Sequence, residues 1–367
     1  MQNAASRELN RSADPMEIYF YGVRGSLPAP ATGVEVQRQI AEVLVAASEA
    51  GVRFETAAEA EKWLVETLPF HKRSHYGGDT TCFLVRCGDI RIAIDAGSGI
   101  RRLGMDLFGE LLRDGNLHLH VLFTHMHLDH IMGFPFFAPL FAPKDRLSVL
   151  LSLHGGCAWQ NDLETVLSAT LSAPLFPIGL DKIRYEAATI EYHPVYDNLV
   201  RYLGPNNEVR LTARRLHHPN ETYGYRIEYG GKVFVVATDT EPYAGPDRAL
   251  SGLAKDADVL YVDSQYDWTQ YIGDTDGVSR LGWGHGYAEW CGRYAREAGV
   301  KMVVAGHHDP GAGNDRIHEV VSKLRAEHPM AVAAYDGLEV HIEDGVIRAD
   351  DGLGDGRELV VERTPQN

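Results

Sequence analysis

The sequence predicts a layered α+β or α/β domain, and three observations carry that expectation. Short apolar runs of strand-like composition recur at close spacing along most of the chain. Segments with helical periodicity fall between them instead of gathering at one end. The composition, 44% hydrophobic and 23% charged over 367 residues, is that of an ordinary globular protein with material for a sizeable core.

Residues 17–21 alternate in the manner of a strand and run into Gly22-Val23-Arg24-Gly25-Ser26-Leu27-Pro28, a turn-rich loop. Residues 33–68 read differently. Val36, Ile40, Val43, Leu44 and Ala47 repeat at helical spacing, and Thr56 with Glu59 predicts a capping box ahead of Trp63, Leu64 and Leu68. The expectation is a two-helix insertion between β elements. Strands are then expected at 82–87, 90–95, 119–123, 148–153, 209–214, 223–229, 232–237, 259–263 and 302–305. Tyr229-Gly230-Gly231-Lys232 carries hairpin turn chemistry. A helix is expected over 287–298, stopped by Gly299. Residues 1–349 thus read as one domain, and 350–367 as a polar, Gly-bearing tail expected to be loose.

The formal charge is −16. Broad binding to long nucleic acid needs a basic surface that displaces counterions, so that class is not expected. A small anionic substrate remains compatible, because bound cations reverse the local potential. Cys82, Cys87, Cys157 and Cys291 show no C-x-x-C spacing and read as reduced thiols, which fits a cytoplasmic protein. The opening fifteen residues are polar, and no run approaches the ~20 apolar residues of a membrane span. No membrane partner is expected.

The strongest chemical signal is Thr124-His125-Met126-His127-Leu128-Asp129-His130, directly after an apolar run. Three imidazoles and a carboxylate within six residues are the donors that suit zinc and similar divalent ions. Placed on a tight loop at a strand end, His125 and His127 can face one ion while Asp129 and His130 face a neighbour. A solvated polar loop is the bland alternative, and histidine density after a buried strand weighs against it. Two further His pairs, His217-His218 and His307-His308, also follow expected strands, as does Asp239.

The His-x-His-x-Asp-His loop resembles the signature of the metallo-β-lactamase superfamily. Gly22-Val23-Arg24-Gly25-Ser26, Tyr76-Gly77-Gly78-Asp79-Thr80-Thr81-Cys82, Asp95-Ala96-Gly97-Ser98-Gly99 and Gly133-Phe134-Pro135-Phe136-Phe137 look like its branch of ribonuclease Z-like enzymes and cyclic phosphodiesterases. The resemblance implies a four-layer αββα sandwich with two divalent ions held at one edge between the sheets. It assigns His125, His127 and His218 to one ion and Asp129, His130 and His307 to the other, with Asp239 bridging. His218 is chosen over His217 because the branch pattern ends in His-Pro, and His307 over His308 as the first histidine after its strand. Zinc is the default metal; manganese and iron also fit the donors.

By the same resemblance His285, in Gly282-Trp283-Gly284-His285-Gly286, stands beside the scissile phosphate, though Gly286 replaces a commoner serine; helix capping is its alternative role. Asp129 and His285 form the expected catalytic set. Asp95 is implied to orient a ligand from outside. Asp79 can be a site or a turn residue, and Arg24 a substrate contact or a salt-bridge partner. Tyr266, Trp268 and Tyr271 line either a pocket or the core. The expected function is hydrolysis of a small phosphodiester or nucleotide, cyclic forms included, by a water the two ions activate. Hydrolysis of an ester, thioester or lactone at the same ions is the enzymatic alternative. An inactive metal-binding scaffold is the alternative of another class. The insertion at 33–68 is expected to act as a lid, a homodimer contact or a packing element.

Overall fold

The computed structural model describes residues 14–156, 162–242, 247–343, 345–350 and 358–362; Cys157 lies outside them. The first sheet is built from β1 (Met16–Gly22), β2 (Cys82–Cys87), β3 (Ile90–Ile94), β4 (Asn116–Leu122), β5 (Ser148–Gly156) and β6 (Thr189–Val195). The second holds β7 (Leu199–Leu203), β8 (Val209–Arg215), β9 (Tyr223–Tyr229), β10 (Lys232–Ala237), β11 (Val259–Asp263), β12 (Met302–Gly306) and β13 (Ala331–Ala333). The chain then returns to the first sheet as β14 (Glu339–Glu343), β15 (Val346–Asp350) and β16 (Glu358–Glu362). The spatial orders are β16-β15-β14-β1-β2-β3-β4-β5-β6 and β13-β12-β11-β10-β9-β8-β7.

Side-chain alternation divides the apolar residues into three layers of core. Ile18, Phe20, Phe83, Ile94, Tyr225, Phe234, Tyr261 and Val304 fill the space between the sheets. Leu119 and Val121 point out of the first sheet, against Leu103, Leu107 and Leu111 of the helix Ile100–Asp114. Val235, Leu260 and Val303 point out of the second sheet. They meet helices Arg248–Ala254, Ala288–Glu297 and Asn314–Glu327. The result is the expected αββα stacking.

Parallel pairing sets the position of the site. β3, β4 and β5 run parallel in one sheet and β10, β11 and β12 in the other. Each set of strands therefore releases its chain at the same edge, where loops from the carboxyl ends can gather.

The insertion forms as two helices, Gly33–Glu49 and Ala57–Thr67. Thr32 with Glu35 makes the full capping box, whereas Thr56 receives the Glu59 amide while the Glu59 carboxylate takes the Glu55 amide. The periodic residues do not form a buried face. Ala47 alone is buried in the first helix, and Val36, Ile40 and Leu44 stand outward, 43%, 55% and 64% exposed. What docks that helix is polar: Gln39 Nε2 donates to the Lys72 and Ser74 carbonyls at 3.2 and 2.8 Å. Within 350–367, expected to be loose, residues Glu358–Glu362 pair antiparallel with β15. The segment Glu-Leu-Val-Val-Glu is too short to announce a strand without a partner. No helix of the described residues is long and apolar enough to cross a membrane.

At the far edge of the sandwich the filling is polar. His118 and His120 on β4, His154 on β5 and His193 on β6 stack in neighbouring pairs. Arg201 of β7 reaches across to donate to His154 Nδ1 at 2.8 Å. Burial, then the adjacent imidazoles and Arg201, pushes His120 down to about 4 and His154 to about 2. These rings stay neutral in the fold but take protons near pH 6.5 once unfolded. Below that pH the unfolded chain binds more protons, so stability is full above about 6.5 and falls as the pH drops towards 4. We expect the thermal midpoint to decline over that window, and His120→Gln with His154→Gln to flatten the decline. An equal slope in wild type and double variant would contradict the assignment.

Candidate metal centre

Asp239 leaves the end of β10 with φ +53°, a left-handed conformation costly for a non-glycine residue. Asp95, after β3, and His307, after β12, adopt the same region at +58° and +56°. Three strand ends thus hold strained backbone at one edge. The His307 amide donates to the buried Tyr261 hydroxyl at 2.9 Å, which fixes its unusual turn. Gly25 admits the ring: a Cβ there would come within 2.4 Å of His307 Nδ1. The neighbouring Ser26 amide donates to Asp129 Oδ2 at 2.8 Å.

Around Asp239 the expected residues converge. His307 Nε2 lies 3.3 Å from its Oδ1 and 3.4 Å from Asp129 Oδ2. His130 Nε2 is 3.2 Å from both Asp129 Oδ2 and Asp239 Oδ2. His125 Nε2 is 3.8 Å from Asp239 Oδ1, and His218 Nε2 is 3.3 Å from His127 Nδ1. Donor atoms of His125, His127, His218 and Asp239 all lie within 4.8 Å of one another, as do those of Asp129, His130 and His307. A third such set joins Asp239 and His307 to Asp263 and His285.

The donors fit divalent cations on a physical ground. Among the described residues, His125, His130 and His307 bury their Nε2 atoms without a hydrogen-bond partner. Such atoms are costly unless something satisfies them, and a cation between them and the carboxylates would do so. Electrostatics agree. Burial alone would raise the Asp129 carboxyl, yet His130 and His307 hold it far below the usual range. Burial would lower His307, but Asp239, Asp129 and Asp263 bring it up to about 9.

Outer contacts orient these side chains. Asp95 accepts from His130 Nδ1 at 2.8 Å and from the Thr124 amide and hydroxyl at 2.7 and 2.8 Å. His218 Nδ1 donates to the Gly284 carbonyl at 3.1 Å. His285 is held by Asp263, with Nδ1 to Oδ2 at 2.8 Å, and its ring stacks on His307 at 5.0 Å between centroids.

Of each histidine pair, one ring enters the cluster and the other lies outside it. His217 is half exposed with Nδ1 3.7 Å from Asp247 Oδ2, outside the cluster. His308 turns away, Nε2 donating to the Ala334 carbonyl at 2.8 Å, and burial takes it down to about 3. Arg24 contacts backbone carbonyls and, among the described residues, forms no ion pair. Buried, it donates to the carbonyls of Gly77, Asp309 and Ala312 and so ties three loops together. Asp79 accepts from Ser98 and Arg102, a turn role. Tyr266 and Tyr271 are buried beside Tyr287, while Trp268 is 45% exposed and packs on Tyr287 at 5.1 Å.

Three contributors had weak sequence signals. Asp263 ends an apolar strand, as Asp239 does, and that position could have marked it. Glu241 and Asn220 carry no such mark, yet Glu241 anchors the Gly282–Gly284 loop and Asn220 Nδ2 sits 2.5 Å from His127 Nε2.

A family model described as a Beta-lactamase superfamily domain matches residues 90–308, the span from β3 through the His307 loop. The chain belongs to the metallo-β-lactamase superfamily. A Bradyrhizobium ribonuclease Z is 23% identical over 313 residues, covering 74% of this chain and 94% of the relative. The metallo-β-lactamase fold protein YhfI of Bacillus subtilis superposes with a TM-score of 0.55 at 18% identity, covering 90% of this chain and all of that one. A diphosphatase of the PhnP family gives 0.53 at 17% identity, covering 88% and 96%. The ribonuclease Z relative agrees with the branch to which the sequence markers point, the two structures share the fold, and this superfamily hydrolase keeps a His/Asp cluster of the kind that holds divalent metals.

His218→Ala should reduce the metal retained after dialysis, measured by mass spectrometry, while His217→Ala should retain wild-type content. Asp95→Ala should weaken affinity by about 10–100-fold, as loss of an orienting partner does. Equal metal content in the two histidine variants would count against the cluster.

Proposed function

We propose that this protein is a phosphodiesterase acting on small nucleotide-like phosphodiesters, cyclic forms included. His125, His127 and His218 would hold one divalent cation and Asp129, His130 and His307 a second, with Asp239 shared between them. Zinc suits this donor set best. Bound there, the cations would supply Lewis acidity and activation of the attacking water.

The observation that carries the reading is His285. Asp263 occupies its Nδ1, which fixes the ring's orientation and leaves Nε2 for substrate, with no partner among the described residues. Phosphodiester cleavage needs a proton for the departing oxygen or a donor to a non-bridging oxygen, and an imidazole beside the cluster can supply either. Its side chain is 12% exposed, so the ring can be reached from solvent. The names of the ribonuclease Z and diphosphatase relatives support phosphoester chemistry. The acidic surface supports a small substrate over a long nucleic acid.

Metal-loaded protein should hydrolyse bis(p-nitrophenyl) phosphate. His285→Ala should lower kcat by about 10²–10⁴-fold, the usual range for a lost acid–base group, with metal content unchanged. Absence of turnover with zinc, manganese and iron alike would overturn the reading; so would a preference for lactones or thioesters in a side-by-side panel.

A further inference from the structure

The loop that precedes His285 presents an indole to solvent in an unusual way. Trp283 is 51% exposed, although a tryptophan gains much from burial. It is nevertheless held firmly. Gly282 and Gly284, on either side of it, take φ of +84° and +92°. Both glycine amides donate to the buried Glu241 carboxylate, at 2.7 and 2.8 Å, and the Tyr271 hydroxyl donates to the same group at 2.6 Å. Gly284 cannot carry a side chain, since a Cβ would lie 2.1 Å from His218 Nδ1. One buried carboxylate thus fixes both an orienting contact of the metal cluster and the exposed ring.

Behind the indole stands a cation. The Arg280 guanidinium carbon lies 5.9 Å from the Trp283 ring centroid and 5.5 Å from that of Tyr266, which in turn meets His285 edge-on at 6.2 Å. Asp276 holds Arg280 in place, with Oδ1 2.6 Å from Nη1. A chain of contacts therefore runs from His285 through Tyr266 and Arg280 to the half-exposed Trp283. A cation held against the back of an aromatic ring braces it for stacking on another flat group.

We propose that Trp283 is a specificity-determining stacking platform for a planar aromatic group, a nucleobase, carried by the substrate. This deepens the phosphodiesterase reading and rests on it for the position of the phosphate. The indole would take the base while the phosphate reaches the cluster, so that base-bearing substrates are favoured over those with only a sugar or alkyl group.

Calorimetric titration of the metal-loaded protein with adenosine 5′-monophosphate and with ribose 5-phosphate separates base from phosphate. Trp283→Ala should weaken the nucleotide by about ten-fold or more, in keeping with the loss of one base–aromatic stack. Ribose 5-phosphate affinity should be the same in both proteins, and Trp283→Phe should recover most of the nucleotide affinity. Failure of wild type to bind the nucleotide, or equal weakening of both ligands by Trp283→Ala, overturns the proposal. The bis(p-nitrophenyl) phosphate assay stands apart: no turnover with the base discrimination intact would sink the reaction and leave the platform.

Discussion

Crowding of charge at one carboxylate governs this structure. Asp239 is buried, in strained backbone, with His125, His130 and His307 turned towards it and a second carboxylate, Asp129, close by. Burying such groups unpaired would cost several kcal/mol each. Imidazoles whose Nε2 atoms face two carboxylates without a hydrogen-bond partner among the described residues form a cage whose natural occupant is positive. The parallel strands, the layered cores and the strained turns can all be understood as means of bringing these groups to one edge and keeping them there.

The supporting residues divide into those that aim donors and those that hold loops. Asp95 and the Gly284 carbonyl act on His130 and His218 directly. Arg24 ties the first loop to the Gly77 turn and to the segment after His307, so loops far apart in sequence are held together. Glu241 does the same for the loop carrying Trp283 and His285. A hydrolytic site needs this rigidity, because small errors in the position of an acid or an orienting donor lose much of the rate.

Much of this was legible in the sequence because the site uses short motifs at strand ends. The histidine loop needed only local spacing, the Lys232–Ala237 and Val259–Asp263 strands announced themselves by apolar runs, and Tyr223–Tyr229 by alternation. The helix Ile100–Asp114 was harder, with Gly104 and Gly109 interrupting its pattern. Its buried ridge Ile100, Leu103, Leu107 and Leu111 is nevertheless spaced as a helix requires. The insertion formed as the two helices its spacing predicts, and its periodic apolar ridge points outward, a placement that spacing alone does not set. Glu241 and Arg24 depend on contacts between distant loops, which no local pattern encodes. Helical and strand periods report what a segment can bury, not which neighbour it meets.

Anomalous diffraction from crystals of zinc-loaded protein tests the proposed pair of cations flanking Asp239 most directly. Two peaks are expected, one among His125, His127, His218 and Asp239, the other among Asp129, His130, His307 and Asp239. Density at neither position, or a metal bound elsewhere with these side chains pointing apart, would contradict it.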